Sequence, residues 1–217
     1  MKEAYKTVYN GGVGEFTMKK SKFIASVSPV ASEADAIKYI EGIKKKYWDA
    51  SHNCSAYIIG NENPLMRCLD DGEPSKTAGR PMLDVLIAHE LTDLVVVVTR
   101  YFGGTLLGTG GLVKAYQSAT IEGLKQSIII TKELGTLLLI TTDYNQIGKI
   151  QYLIGQELLP ILSSEYTDFV KLRLLVPPSR IQVFIKKITE LTSGSAIIEE
   201  MEQVYFASID SEVHLFQ

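Results

Sequence analysis

The chain has 217 residues, more than the about 100–150 of a usual single domain, with 46% hydrophobic and 22% charged residues. That balance excludes a disordered or fibrous chain, and a formal charge of −3 excludes a globally basic nucleic-acid binder. The longest apolar runs fall far short of the ~20 residues that span a bilayer, and the start MKEAYKTVYNGG lacks a targeting core, so no membrane partner is expected.

In chain order, Tyr5–Tyr9, Gly14–Met18 and Phe23–Val30 read as strands, with Phe23, Ala25 and Val27 alternating along the third. Ser32 then caps a helix with Glu33 and Asp35 in its first turn, an apolar stripe Ala36, Ile37, Ile40, Ile43, and Lys44, Lys45 and Lys46 at its end. Cys54–Ile59 and Leu65–Leu69 are strands around the turn Gly60–Pro64. The segment DGEPSKTAGRP precedes a helix with Pro81 in its first turn and Met82, Leu83, Leu86 and Ile87 on its inner face. Leu94–Thr99 is a buried strand because LVVVV is apolar on both faces, and a helix follows over about Gly110–Gln126.

From Leu134 the pattern resets. Leu137–Thr141 is a strand, Asp143 caps a helix through Ile147, Ile150 and Ile154, and a hairpin turns around Glu165–Asp168. Ser179 caps a helix with Ile181, Phe184 and Ile188, and Ala196–Phe206 is the last strand. This βαββαβ order is the ferredoxin-like signature. The expectation is therefore an α+β protein of two domains, 1–131 and 132–217, joined near Ile130–Gly135. Charge separates them: the first holds 15 Lys and Arg against 14 Asp and Glu, the second 7 against 11. The acidic second domain suits a protein partner better than RNA.

The segment TRYFGGTLLGTGGLVKAY, Thr99–Tyr116, concentrates glycines between a strand and a helix. A phosphate-binding P-loop fails, because Thr109 and Gly110 stand where Lys and Ser or Thr belong. The dinucleotide fingerprint fails as well, since Val113 occupies its third glycine position. Two readings remain. In one, Gly110 and Gly111 open a helix whose free N–H groups, capped by Thr109 and reinforced by Arg100 and Lys114, attract an anion. In the other, the glycines permit tight packing and Arg100 forms an internal ion pair.

Asp70, Asp71 and Glu73 place three carboxylates in four residues, either as acid/base groups or as solvated acids and partners for Arg80 and Arg100. Ser75 or Thr77 is expected to cap the following helix, not to serve as a nucleophile, since no G-x-S-x-G elbow surrounds either. His52, Cys54 and Cys68 fall on neighbouring strands, yet no C-x-x-C or H-x-x-x-H accompanies them. Neither a metal nor a cofactor is expected. Two cysteines also make no disulfide framework, which fits a reduced, cytoplasmic protein.

Three segments resemble the IMPACT/YigZ family: SKFIASVSPV, DDGEPSKTAGRPMLDVL and VVVVTRYFGGTLLGTGGLVKAY. The core Arg100, Tyr101, Phe102, Gly103, Gly104, Leu107, Gly108 follows its pattern, while Lys76 stands where the family usually has a small residue, most often Gly. The resemblance implies an N-terminal domain like domain 2 of ribosomal protein S5 and a C-terminal domain like those of elongation factor G. It implies translational regulation, as in the eukaryotic member, and carries no established catalytic residue. The expected function is thus a non-enzymatic regulator that binds RNA, the ribosome or a translation factor through the N-terminal domain. Its expected surface is Arg100, Tyr101, Gly103, Gly104, Gly108, Gly110, Gly111 and Lys114, flanked by Asp71, Glu73, Ser75, Lys76 and Arg80. The alternatives are an enzyme acting on a small phosphorylated or peptide substrate in the same cleft, with Asp71 or Glu73 as acid/base, and a pure protein-interaction module.

Overall fold

Residues 2–216 are described in a computed structural model. They divide into two compact units, Tyr5–Thr131 and the segment from Lys132 onward, with the residues before Tyr5 grouped with the second. The first unit contains β1 (Ala4–Asn10), β2 (Val13–Met18), β3 (Ser21–Pro29), α1 (Glu33–Lys46), β4 (His52–Ile59), β5 (Leu65–Leu69), α2 (Gly79–Ala88), β6 (Leu94–Tyr101) and α3 (Gly108–Lys125). Its sheet runs β2-β3-β6-β4-β5, antiparallel throughout.

The LVVVV run explains the layering. Leu94–Val98 are wholly buried because β6 lies at the centre of the sheet with helices on both faces. Val95 and Val97 pack with Tyr57 against Ala36, Ile40 and Ile43 of α1. Val96 and Val98 pack with Cys54 and Ala56 against α2 and α3, through Met82, Leu86, Leu112, Tyr116 and Ala119. Helix α1 begins as its sequence predicts, with Ser32 Oγ accepting the Asp35 N–H at 3.2 Å, and ends on its three lysines.

The second unit holds β7 (Ile128–Thr142), α4 (Ile147–Gln156), β8 (Ile161–Tyr166), β9 (Val170–Val176), α5 (Ile181–Leu191), β10 (Ile197–Ile209) and β11 (Glu212–Phe216), β7 beginning just before the division. Its sheet order, β11-β10-β7-β9-β8, contains the ferredoxin-like arrangement with one strand added at the edge. Leu138, Ile140, Leu172 and Leu174 face Ile150, Ile154, Phe184 and Ile188 in a separate core.

Three local expectations change. The supposed linker Ile130–Gly135 is the first half of β7, whose Glu133, Leu134 and Gly135 pair with β10. Ser179 does not cap α5; it sits in a short 3-10 turn, Pro178–Arg180, just before that helix. Asp143 does not cap α4, whose cap position is Gln146 without a side-chain bond; it accepts the backbone N–H groups of Asn145 and Gln146, at 2.8 and 3.1 Å, in the turn before that helix.

Candidate functional site

The loop between β5 and α2 is organised by Asp70. Its Oδ1 accepts the N–H groups of Ala78 at 3.1 Å and Gly79 at 2.9 Å, and its Oδ2 accepts that of Lys76 at 2.8 Å. This carboxylate therefore caps α2 from across the loop. Ser75 and Thr77 do not cap it: the Ala78 cap position has no side-chain bond, and Thr77 Oγ1 donates back to the Pro74 carbonyl at 2.7 Å. Capping rules search the residue next to the helix, so sequence reading missed Asp70.

Asp71 is a clasp. Its Oδ1 pairs with Lys44 Nζ and its Oδ2 accepts the Asn53 N–H, both at 2.6 Å, joining the loop to α1 and β4. Burial pushes its carboxyl upward, but the bonds from Lys44 and Asn53 outweigh this and hold it below the ordinary carboxylate value. With both oxygens engaged, Asp71 is corrected from acid/base candidate to structural tie.

Between these residues the chain turns Glu73 inward. Its side chain is 3% exposed and Oε1 accepts twice, from Arg100 Nη1 at 2.6 Å and from the Tyr116 hydroxyl at 2.7 Å. The Cys54 thiol continues the chain of bonds, 3.3 Å from the Tyr116 oxygen and 3.0 Å from the Asp70 carbonyl. Burial pushes both the Cys54 thiol and the Tyr116 hydroxyl far up from their ordinary values, so neither is ionised at neutral pH. Arg100 is itself 7% exposed, with its guanidinium carbon 5.6 Å from the ring centres of Phe23 and Phe102. Arg100 is thus an internal partner of Glu73. Its charge is already matched in a nearly dry setting, which is the internal ion pair that one of the two sequence readings foresaw.

These groups floor a cleft of about 560 Å³. Glu73, Arg100 and His52 face it from below; Phe102, Leu106 and Leu112 supply apolar surface, with Leu106 82% exposed. Gly108 and Thr109, at the start of α3, line the wall. Thr109 is not the cap foreseen for that helix: the cap position is Leu107, without a side-chain bond. Gly108 sits at φ +71°, and neither it nor Gly110 has any atom near its missing Cβ, so backbone is exposed there. His52 enters through register alone, since β4 pairs it with Arg100.

The other expected residues serve differently. A Cβ on Gly103 would lie 2.1 Å from the Lys20 carbonyl carbon, so this glycine is a close-packing position. Tyr101 donates its hydroxyl to Asp49 Oδ1 at 2.8 Å, which also raises its pKa, and Arg80 pairs with Asp84 at 2.8 Å. Gly104, Ser75, Lys76 and Lys114 are solvent-exposed and Gly111 half-buried; none of the five is among the cleft-lining residues. Among the described residues no cluster of three or more His, Cys, Asp or Glu is placed to hold a metal, and no helix is long and apolar enough to cross a membrane.

Fold and cleft together define a two-unit α+β protein whose chemistry-bearing residues gather in the first unit. Residues 19–124 match the Impact N-terminal domain, and residues 140–195 match a domain of unknown function, DUF1949. The IMPACT family member YvyE of Bacillus subtilis (strain 168) is 40% identical over 205 residues, covering 94% of each chain. The crystal structure of a hypothetical protein, 32% identical, superposes with a TM-score of 0.60 over 93% of this chain and 99% of that one. The Protein IMPACT homolog of Dictyostelium discoideum is 38% identical over 106 residues, 47% of this chain and 30% of its own length. This chain belongs to the IMPACT family.

Proposed function

We propose that this chain regulates translation by docking its N-terminal unit on RNA, the ribosome or a translation factor, without catalysing a reaction. The observation that carries the reading is family membership: the Impact N-terminal domain occupies 19–124, and the bacterial and eukaryotic relatives share the name IMPACT. The resemblance noted from the sequence assigns translational regulation to the eukaryotic member. The geometry agrees with docking, since Asp71 and Arg100 are held in internal bonds while Lys76, Arg80 and Lys114 remain on the surface.

Co-sedimentation of the full chain with ribosomes over a salt series tests this. Binding that weakens with salt, and weakens further in a Lys76→Glu, Lys114→Glu double variant, supports contact with phosphate or an acidic partner. Absence of sedimentation at low salt overturns the ribosome form, and insensitivity to both charges removes these lysines from the surface. A second reading, an enzyme on a peptide substrate, is favoured by His52 Nε2 and Glu73 Oε2 sharing the cleft floor 4.0 Å apart. It predicts a bell-shaped pH–rate profile abolished by His52→Gln.

A further inference from the structure

Glu73 is more than nine-tenths buried, yet one of its carboxylate oxygens is left without a hydrogen bond. Oε1 accepts from Arg100 and Tyr116, whereas Oε2 has no hydrogen-bond donor among the described residues, and His52 Nε2 stands 4.0 Å from it. Behind the imidazole, His52 Nδ1 lies 2.8 Å from the Asp71 carbonyl. A carbonyl can only accept, so Nδ1 carries a proton, and in the Nδ1–H tautomer assigned here Nε2 presents a lone pair. Two acceptors thus face one another across a gap too wide for a direct bond. The gap suits a donor roughly 2.8 Å from each. A nitrogen with two or three hydrogens serves both at once; a single peptide N–H does not.

The wall of the same cleft offers the opposite polarity. Helix α3 begins at Gly108 with no capping side chain, so its first N–H groups are free to receive a carboxylate. Phe102, Leu106 and Leu112 make the neighbouring lining apolar. A phosphate on the floor would meet the Glu73 carboxylate, with Arg100 already committed to it.

We propose that this cleft binds a small zwitterion with an aliphatic side chain, either a free amino acid or a very short peptide. The inference rests on reading the N-terminal unit as a binding module and names the chemistry of its cleft. The ammonium bridges Glu73 Oε2 and His52 Nε2, the carboxylate takes the free N–H groups of the first turn of α3, where Gly108 and Thr109 line the cleft, and the side chain lies on Leu106 and Leu112.

The test is an amide NMR titration of the full chain with leucine, leucyl-leucine, leucyl-leucine amide and N-acetyl-leucyl-leucine. Leucine or leucyl-leucine shifts the amides of Gly108, Gly110 and Gly111, and blocking either terminus weakens binding about tenfold or more. Tight binding of leucine points to a free amino acid, and preference for the dipeptide to a peptide. Gly110 has open space at its Cβ, and an acid in a first helical turn is favourable, so Gly110→Asp retains its melting temperature while losing about tenfold in affinity. Silence with all four compounds, or equal binding of the blocked ones, overturns the proposal. A chain that sediments with ribosomes but ignores these ligands sinks this inference alone, whereas one that binds leucyl-leucine without sedimenting sinks the ribosome reading alone.

Discussion

Glu73 and Arg100 form a pair whose worth lies in being kept intact. Neutralising one partner leaves the other charged in a site with almost no water, which costs about 3–5 kcal/mol for buried pairs. Glu73→Gln is therefore expected to lower unfolding stability by about that amount, since Arg100 Nε already lacks a partner and cannot compensate. The double variant Glu73→Gln, Arg100→Met removes both charges and recovers much of the loss; urea midpoints of the three proteins measure this. A double variant no better than the single one would show that the pair does not couple. Asp71 gives a pH signature of its own. Its carboxyl lies below the ordinary value in the folded chain, so its contribution is full above the unfolded pKa and fades as pH falls through the lower native one. The stability gap between wild type and Asp71→Asn should close on acidification from neutral pH; a constant gap would contradict the clasp.

At the scale of elements, the Asp70–Gly79 loop shows what a sequence conveys and what it withholds. The run Leu94–Val98, the capped α1 and the βαββαβ pattern are written in local periodicity, and the elements stand where that periodicity puts them. The full extent of β7 was obscured by Lys132 and Glu133, and the short edge strand β11 carries too few alternating residues to announce itself. The site divides the same way. Pairing of Glu73 with Arg100 was one of two readings open to charge arithmetic, whereas Asp70 reaches Gly79 only through loop closure and His52 reaches the cleft only through strand register. Lys76 does carry a local message. Its φ of +63° is left-handed, which strains a residue with a Cβ and explains why a glycine fits this place in the family pattern. Lys76→Gly should stabilise the unit by about 0.5–1 kcal/mol, the relief of strain exceeding the added chain entropy. A lower melting temperature in that variant would show that the lysine side chain makes a compensating contact.

Across the whole molecule, the apolar interior is divided rather than shared. Leu86 and Met82 belong to the core of Tyr5–Thr131, while Leu138 and Ile140 belong to a core built from β7, β9, α4 and α5. Cooperative unfolding follows the burial that each side chain supports, so separate cores imply separate transitions. Each of Leu86→Ala and Leu138→Ala removes a fully buried side chain at a cost of about 2–5 kcal/mol. Calorimetry of the full chain should show Leu86→Ala lowering one transition and Leu138→Ala lowering the other. The charge difference offers a second handle on the assignment. The second unit, with the residues before Tyr5, carries 8 basic against 12 acidic residues, so self-repulsion near neutral pH weighs on it more than on the first, where the counts are 14 and 13. Added salt screens that repulsion and should raise the transition sensitive to Leu138→Ala more than the one sensitive to Leu86→Ala. If both substitutions move a single common transition, the two cores unfold as one, and ligand binding in the first unit would then stabilise the entire chain.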